Sequence, residues 1–346
     1  MLSKYLPGFV ALICCLGVLP LVKRLAHRFN LFDAPGPLKI HQDSIPRLGG
    51  IAMFAGLVAG GATVFFHASK MELAPFLVFA AIWLVGLADD IRPLGPIFRF
   101  VVHIGAGSAL WFAGWRLQWF SQPVLDLLAT CLFVAILINA MNLLDGMDGL
   151  AAGTAAILCF GFLLISASDG NVLETSVASA LLGACVAFLS VNAPPARMFM
   201  GDSGSTLIGV VLAFLSLNWV RGQADSRNIL IPVILLSVPI MDAALAIFRR
   251  TRTQSGLFTG DRRHFYDNLL QRGWTVEVVL KCSIGVTGLL VFVGWLCERG
   301  ILGVLTTFVL VEFVLASGAI LLGSLHPDLP RVPPSQQENS IGAAAE

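Results

Sequence analysis

Long apolar stretches alternate with short polar, charged or Gly/Pro-rich connections along nearly the whole chain. A helix that crosses a hydrocarbon core of about 30 Å needs about 20 mostly apolar residues. Eleven stretches have this length and character, and the weakest apolar pattern is that over 204–220. They cover residues 5–25, 49–67, 73–91, 98–115, 122–141, 150–168, 173–192, 204–220, 228–248, 277–297 and 300–323. The pattern predicts an all-α polytopic integral membrane protein with 10 or 11 transmembrane helices.

The composition excludes most other classes of protein. Of the 346 residues, 57% are hydrophobic and 12% are charged, and the mean hydropathy is +0.84. A soluble globular protein has about 25% charged residues. The 22 basic and 21 acidic residues nearly cancel, and no basic region is typical of a nucleic-acid-binding protein. We therefore predict one transmembrane domain in contact with membrane lipid over 1–325, followed by a disordered cytoplasmic tail over 326–346.

The charges lie mainly on one side of the predicted membrane. Fourteen Lys and Arg residues fall at the odd-numbered connections between spans, whereas six fall at the N-terminus and the even-numbered connections. By the positive-inside rule the odd-numbered connections are cytoplasmic, with the N-terminus outside and the C-terminus inside. Nine aspartates also lie at the odd-numbered connections. Because short carboxylates suit metal and phosphate chemistry, this face is predicted to carry the function.

Two adjacent carboxylates, Asp89 and Asp90, end the third predicted span. Neighbouring carboxylates repel each other, so the pair suits either Mg²⁺ binding or the acceptance of a proton. The alternative is a plain interfacial helix end with Arg92 and Arg99 as counter-charges. The dipeptide alone does not distinguish between the two.

The fifth predicted span ends in the run Asn139-Ala-Met-Asn142-Leu-Leu-Asp145-Gly-Met-Asp148-Gly. Asn139, Asn142 and Asp145 are spaced three residues apart, so a continuing helix places their side chains along one stripe. A hydrogen-bonded helix cap is the alternative. Polar groups at membrane depth normally face a cavity or a partner, so the pattern favours a functional site.

The run over 192–205 places a carboxylate at a predicted helix start. Asp202 follows a Pro-Pro step and a Phe-Met-Gly run, and it precedes Ser203. The first N–H groups of the next span would be free, which favours phosphate binding there. An N-cap role for Asp202 or Ser203 is the alternative, but capping does not account for the preceding run.

The longest loop combines cations with aromatic residues. Arg262, Arg263 and His264 suit a diphosphate or a sugar, since arginine makes bidentate contacts to phosphate. The alternative is anchoring to anionic lipid, which the arginines of segment 249–252 are expected to provide.

The first loop carries Lys39, His41 and Arg47, which would meet an anionic headgroup at the membrane surface. The general excess of basic residues in cytoplasmic loops accounts for these residues equally well. Asp242, which follows Pro239 in the ninth span, is an ionisable group at membrane depth. Pairing with an interior polar group is its expected role.

The order and common side of these motifs resemble the polyprenyl-phosphate N-acetylhexosamine-1-phosphate transferase family. The resemblance extends over residues 20–275 and includes the Asp89-Asp90 pair. It also rests on the LxxxPxxxKxHxxxxPRxGG-like first loop, the NAxNxxDGxDGLA run at 139–151 and the NxPPAxxFMGDxGS run at 192–205. In this family a polyprenyl phosphate attacks the β-phosphate of a UDP-amino sugar, giving a polyprenyl diphosphate-sugar and UMP.

The resemblance implies roles for individual residues. Asn142 and Asp202 would be ligands of Mg²⁺, with Mn²⁺ as a substitute, and Asp148 would contact the uracil edge. Asp89 would be the base for the lipid phosphate, and Arg99 a phosphate contact. The other predicted site residues are Asp90 and Asp145 on the catalytic side, and Lys39, His41, Asn139, Arg262, Arg263 and His264 on the binding side.

The last loop departs from the family pattern. The N-acetylglucosamine branch commonly has a DRxHxHH-like run, whereas this chain reads Asp261-Arg-Arg-His264-Phe-Tyr266-Asp267 and keeps only the first histidine. This loop is associated with sugar selection. The resemblance therefore implies a UDP-amino sugar donor, either UDP-N-acetylglucosamine or a modified relative, and argues against the muropeptide nucleotide. Undecaprenyl phosphate is the implied acceptor, and a homodimer is compatible with the sequence.

Two other classes of protein compete with a transferase. An ion-coupled transporter predicts ionisable residues near the bilayer midplane and two repeated halves, whereas nearly all carboxylates here lie at one face. An inactive scaffold requires a decayed metal motif, but Asn142, Asp145, Asp148 and Asp202 are all present. The sequence therefore predicts a Mg-dependent transferase of the bacterial plasma membrane with a cytoplasmic active site. It would initiate a lipid-linked cell-envelope glycan such as a cell-wall polymer or O-antigen.

Overall fold

The apolar stretches form helices in the computed structural model, which describes residues 5–34, 43–65, 73–120, 122–166, 171–221, 229–252 and 263–323. Within these ranges the elements are α1 (Leu6–Arg28), β1 (Phe32–Asp33), β2 (Ile45–Pro46), α2 (Gly49–Phe65), α3 (Ala74–Ile91), α4 (Pro96–Phe112), α5 (Pro123–Leu144), α6 (Leu150–Ser166), α7 (Val172–Asn192), α8 (Gly201–Arg221), α9 (Leu230–Leu235), α10 (Ser237–Arg252), α11 (Phe265–Gln271), α12 (Val276–Glu298) and α13 (Val304–Leu321). Seven of these helices are long and apolar enough to cross a membrane, and α2, α4 and α6 are shorter apolar helices. The predicted class, an all-α polytopic membrane protein, is confirmed.

The ninth predicted span, 228–248, is broken into two helices. α9 ends at Leu235 and α10 begins at Ser237. Pro239 has no N–H to donate to the carbonyl of Leu235, and its ring would clash with that carbonyl in a continuous helix. The prediction of one uninterrupted helix is therefore wrong at this position.

The span with the weakest apolar pattern, α8, is the most enclosed helix. Every residue from Ser203 to Val220 is buried, and α8 packs against α2, α3 and α5. A helix surrounded by protein can carry serine, threonine and asparagine that bond inside the bundle, so it needs no continuous lipid-facing surface.

The first loop is tied to the segment that precedes α8. β1 pairs antiparallel with β2, and Pro46 at the end of β2 accepts a hydrogen bond from Phe199 N at 2.9 Å. The N–H groups of Gly49 and Gly50 donate to the carbonyls of Phe199 and Met200 at 2.9 and 2.8 Å. These bonds hold the start of α2 and the start of α8 together at one end of the bundle.

Candidate active site

Four helix ends bring distant polar residues together at this end of the bundle. The C-terminal turns of α3 and α5, the first turn of α4 and the first turn of α8 supply five of the predicted site residues. We call them the aspartate cluster, which consists of Asp89, Asp90, Arg99, Asn142 and Asp202.

Arg99 connects two carboxylates of the aspartate cluster. Its Nη1 lies 2.6 Å from Asp89 Oδ2 and 3.2 Å from Asp202 Oδ2. Leu94 N donates to the other oxygen of Asp89 at 2.5 Å. The Asp89 side chain is 4% exposed, whereas those of Arg99 and Asp202 are 33% and 34% exposed. Asp89 therefore holds Arg99 from inside the protein, while Arg99 and Asp202 are accessible to a ligand.

Asp90 caps α8 from a different helix. Its Oδ1 accepts from Asp202 N at 2.8 Å, and its Oδ2 accepts from Ser203 N and Ser203 Oγ at 3.1 and 2.6 Å. The first N–H groups of a helix lack helical acceptors and favour a nearby negative charge. The sequence-based expectation of free N–H groups for phosphate is therefore wrong for these two amides, because Asp90 occupies them.

Asn142 connects α5 to Asp202. Its Nδ2 donates to Asp202 Oδ1 at 2.6 Å and to Ser205 Oγ at 3.0 Å. Across the described residues, no three His, Cys, Asp or Glu side chains are grouped as metal ligands. Mg²⁺ is usually bound by one or two protein oxygens and completes its coordination with water and substrate phosphate. An amide and a carboxylate in direct contact fit such a site, since rotation of the amide presents its oxygen beside Asp202.

Asp145 directly follows α5 and lies near the aspartate cluster. Burial, together with the nearby negative charges of Asp202, Asp90 and Asp148, raises the pKa of Asp145 well above its usual range. Three further aspartates therefore add negative charge around Asp145. A bound cation would offset this charge and favour the ionised carboxylate.

The loop between α5 and α6 is held by the segment before α8. Asp148 Oδ2 accepts from Ala196 N at 2.8 Å, and Asn192 Oδ1 accepts from Gly149 N at 3.1 Å. Asn192 Nδ2 also donates to Met198 O at 3.0 Å. Asn192 lies within a recognised motif but was not among the predicted site residues. The sequence feature that could have identified Asn192 is its amide side chain at the end of an apolar helix.

Asn139 shares its helix face with Asn142 but lies one turn deeper. Its Nδ2 is 3.1 Å from His103 Nδ1 and donates to Ala135 O at 2.7 Å. His103 is buried on α4. The predicted stripe is therefore present on α5, although Asn139 bonds to α4 and not to the aspartate cluster.

His264 pairs with a buried carboxylate on α10. Its Nδ1 lies 2.6 Å from Asp242 Oδ2, and both side chains are 4% exposed. The prediction that Asp242 pairs with an interior polar group is confirmed. Arg263 is half-buried beside this pair, whereas Lys39, His41 and Arg262 lie outside the described residues.

The arginines at the end of α10 differ in their surroundings. Arg249 and Arg250 are buried, whereas Arg252 is exposed and lies over the Phe248 ring at 5.9 Å. The expectation of lipid anchoring is therefore wrong for Arg249 and Arg250. They continue the inward face of α10 that includes Asp242, because residues seven and eight positions apart on a helix share a face.

These features define a class of protein: a polytopic α-helical membrane protein with an arginine, carboxylates and an amide gathered at one end of the bundle. The sequence profile of the family described as "Glycosyl transferase family 4" matches residues 73–220. The matched region contains the whole aspartate cluster. The chain belongs to this family, in the polyprenyl-phosphate sugar-1-phosphate transferase group, and the resemblance inferred from the motifs is confirmed.

Three relatives illustrate the similarity. A probable undecaprenyl-phosphate N-acetylglucosaminyl 1-phosphate transferase of Bacillus subtilis is 32% identical over 76% of this chain and 76% of its own length. A decaprenyl-phosphate N-acetylglucosaminephosphotransferase of Mycobacterium tuberculosis is 34% identical over 77% of this chain and 76% of its own length. An undecaprenyl-phosphate alpha-N-acetylglucosaminyl 1-phosphate transferase of Escherichia coli is 25% identical over 80% of this chain and 79% of its own length.

Proposed function

We propose that this protein transfers N-acetylglucosamine 1-phosphate from UDP-N-acetylglucosamine to undecaprenyl phosphate and releases UMP. The observation that carries this proposal is Arg99, which bridges Asp89 and Asp202 beside Asn142 at one end of the bundle. The names of the relatives support both the sugar phosphate and the polyprenyl phosphate. The product would be the first lipid-linked intermediate of a cell-envelope glycan.

The reaction joins two anionic substrates. An oxygen of the lipid phosphate attacks the β-phosphorus of the UDP-sugar and forms a new P–O bond. The bond from that phosphorus to the oxygen shared with the α-phosphate breaks, and UMP leaves with this oxygen. The protein must lower the repulsion between the phosphates and align them, because positioning and charge stabilisation account for most catalysis of this kind.

Different residues would neutralise charge, position the arginine and bind the metal. Arg99 neutralises phosphate charge, and the buried Asp89 keeps its guanidinium in place. Asn142 and Asp202 would hold Mg²⁺, or Mn²⁺ as a substitute, and the metal would add to charge neutralisation. A phosphate monoester is already largely ionised near pH 7, so we assign Asp89 to positioning and treat the role of a base as the alternative.

We further place the aspartate cluster at the cytoplasmic face of a bacterial plasma membrane. This orientation is supported by the excess of Lys and Arg, fourteen against six, at the connections on the same side as the cluster. With α9 and α10 counted as one broken span, the chain would cross eleven times, with its N-terminus outside. The UDP-sugar would then reach the site from the cytoplasm.

The first test is UMP release by the detergent-solubilised protein with Mg²⁺, undecaprenyl phosphate and a panel of UDP-N-acetylhexosamines. UMP formation is expected to require donor, lipid and Mg²⁺. Asp202→Asn is expected to lower the rate about a hundredfold or more. It removes a negative charge that would stabilise the transition state more than the bound substrates. The lipid-linked product is identified by mass spectrometry.

Glu277→Gln is the matched control, since it makes the same chemical change at an exposed residue of α12. It is expected to retain the wild-type rate. Donor-dependent UMP release that persists in Asp202→Asn contradicts the assigned role of Asp202. A folded protein that releases no UMP with any donor contradicts the transferase, and uptake assays in vesicles then address the transporter alternative.

A further inference from the structure

The last turn of α5 is completed by a side chain from α11. A helix leaves its final carbonyl groups without helical partners, and Leu143 O, one of these, accepts from the Tyr266 hydroxyl at 3.1 Å. Tyr266 is 2% exposed. A Cβ placed on Gly146 would overlap the Tyr266 hydroxyl oxygen and lie 2.9 Å from its ring carbon Cζ. The ring therefore packs directly against the loop that carries Asp145 and Asp148.

Tyr266 is itself fixed from α10. The Asp242 carboxylate binds two neighbouring groups at the start of α11, His264 Nδ1 at 2.6 Å and Phe265 N at 3.1 Å. The His264 ring stacks on the Tyr266 ring, with centroids 5.4 Å apart and planes 9° from parallel. Asp267 completes the helix start, since its Oδ2 accepts from His264 N at 3.2 Å. These contacts hold the tyrosine ring in one orientation against α5.

The same residues lie where this loop departs from the pattern that the resemblance gives for the N-acetylglucosamine branch. Tyr266 and Asp267 occupy the two positions at which the DRxHxHH-like run has its later histidines. Here Tyr266 donates to a C-terminal carbonyl of α5, and Asp267 caps α11. Both are therefore engaged in holding the loop, and neither carries an imidazole.

We propose that Tyr266 is a positioning residue for the donor substrate: it sets the loop between α5 and α6 for nucleotide-sugar binding, and the Asp242–His264 pair holds it in place. This inference rests on the proposed function and on the family resemblance, which implies that Asp148 of that loop contacts the uracil edge of the donor. Arg99, to which the proposed function assigns phosphate charge, pairs instead with Asp89 of α3 and Asp202 of α8. A substitution at Tyr266 should therefore change the KM for the donor and leave the KM for the lipid phosphate unchanged.

The test is Tyr266→Phe, which keeps the ring and removes the hydroxyl. Loss of one buried hydrogen bond is expected to raise the KM for UDP-N-acetylglucosamine about fivefold, with the KM for undecaprenyl phosphate unchanged. The matched control is Tyr5→Phe, the same substitution at the other tyrosine of the chain, which is 52% exposed. Its kinetic constants are expected to equal those of the wild type.

Gly146→Ala provides a second measurement that a general loss of stability would not reproduce. The added methyl group is expected to raise the donor KM more in the wild-type background than in Tyr266→Phe, because the phenyl ring lacks the overlapping oxygen and leaves only the 2.9 Å approach to ring carbon Cζ. Equal effects in the two backgrounds overturn the proposed contact. Thermal unfolding of each variant is measured in parallel.

The outcomes distinguish this inference from the proposed function. Wild-type turnover together with an unchanged donor KM in Tyr266→Phe overturns the positioning role alone. Wild-type protein that binds UDP in calorimetry but forms no UMP overturns the proposed transferase, and weaker UDP binding by Tyr266→Phe then still supports the positioning role. Wild-type protein that neither turns over nor binds UDP overturns both.

Discussion

Asp89 and Asp90 are adjacent in the sequence, yet their carboxylates bind different parts of the molecule. Asp89 pairs with Arg99 of the following helix, whereas Asp90 binds the amides of Asp202 and Ser203. Successive side chains on a helix point in different directions, so neighbouring residues reach different partners. The sequence indicated that the pair is important, but it did not indicate that one residue holds a cation and the other a helix start.

Asp145→Asn is expected to raise thermal stability and to lower activity. The folded-state pKa of Asp145 lies above its ordinary value, so its stabilising contribution is present at low pH and is lost as pH rises through the folded pKa. Asparagine stays neutral at every pH. The melting temperature of the variant should therefore exceed that of the wild type by more at about pH 8 than at about pH 5.

This comparison is made by intrinsic fluorescence in detergent with EDTA, since a bound cation would favour the ionised form. Added Mg²⁺ is expected to reduce the difference between the two proteins. A melting-temperature difference that is the same at both pH values would contradict the raised pKa of Asp145.

At the scale of elements, the site depends on how closely α3 approaches the start of α8. A Cβ at Gly86 would lie 2.7 Å from both Asp202 O and Ser203 Cα. These are backbone atoms and cannot rotate away. The glycine therefore permits the contact through which Asp90 caps α8 and fixes the backbone of Asp202.

Gly86→Ala is expected to displace the start of α8 and to lower the transferase rate about tenfold or more, because small displacements in a site are costly. Gly105→Ala is the matched control within α4, where an added Cβ meets no atom within 4 Å. It should leave the rate unchanged and keep or raise the melting temperature, since alanine favours a helix over glycine by about 1 kcal/mol. Similar rates in both variants would contradict the proposed importance of the α3–α8 contact.

At the scale of the whole molecule, the bundle gathers its catalytic candidates at one end. The first loop, the loop between α5 and α6, and the segment before α8 all meet there. The other end contains separate polar contacts, such as Asp126 accepting from the amides of Trp119 and Phe120 at 2.9 Å. The proposed positions of the two ends relative to the membrane rest on the charge distribution.

The orientation predicts which residues a membrane-impermeant thiol reagent can reach in intact cells. In a cysteine-free background, Arg116→Cys after α4 should be labelled from outside, whereas Arg272→Cys after α11 should be labelled only after permeabilisation. Both arginines are exposed, so burial does not bias the comparison. Labelling of both residues from the same side would contradict the eleven-span topology, and the opposite labelling would contradict its orientation.

Local patterns gave the helices and the motifs with good accuracy. Ten of the eleven predicted spans correspond to single helices within a few residues, and the ninth is interrupted because Pro239 cannot continue the hydrogen-bond ladder. Both Asn142 and Asp202 were recognised from their motifs and are in direct contact. The sequence did not indicate that Asn139 contacts His103 of α4, and lipid anchoring was the wrong expectation for the buried Arg249 and Arg250.

The sequence by itself determined the helical membrane architecture, the common side of the charged connections and the family, because each depends on local composition or on short motifs. Only the tertiary structure decided which side chain meets which partner. Asp90 and the Asp202 amide are 112 residues apart, and Tyr266 and the Leu143 carbonyl are 123 residues apart. Such contacts depend on how helices pack and rotate against each other, so the cap on α8 and the support of the α5–α6 loop emerge only once the bundle is assembled.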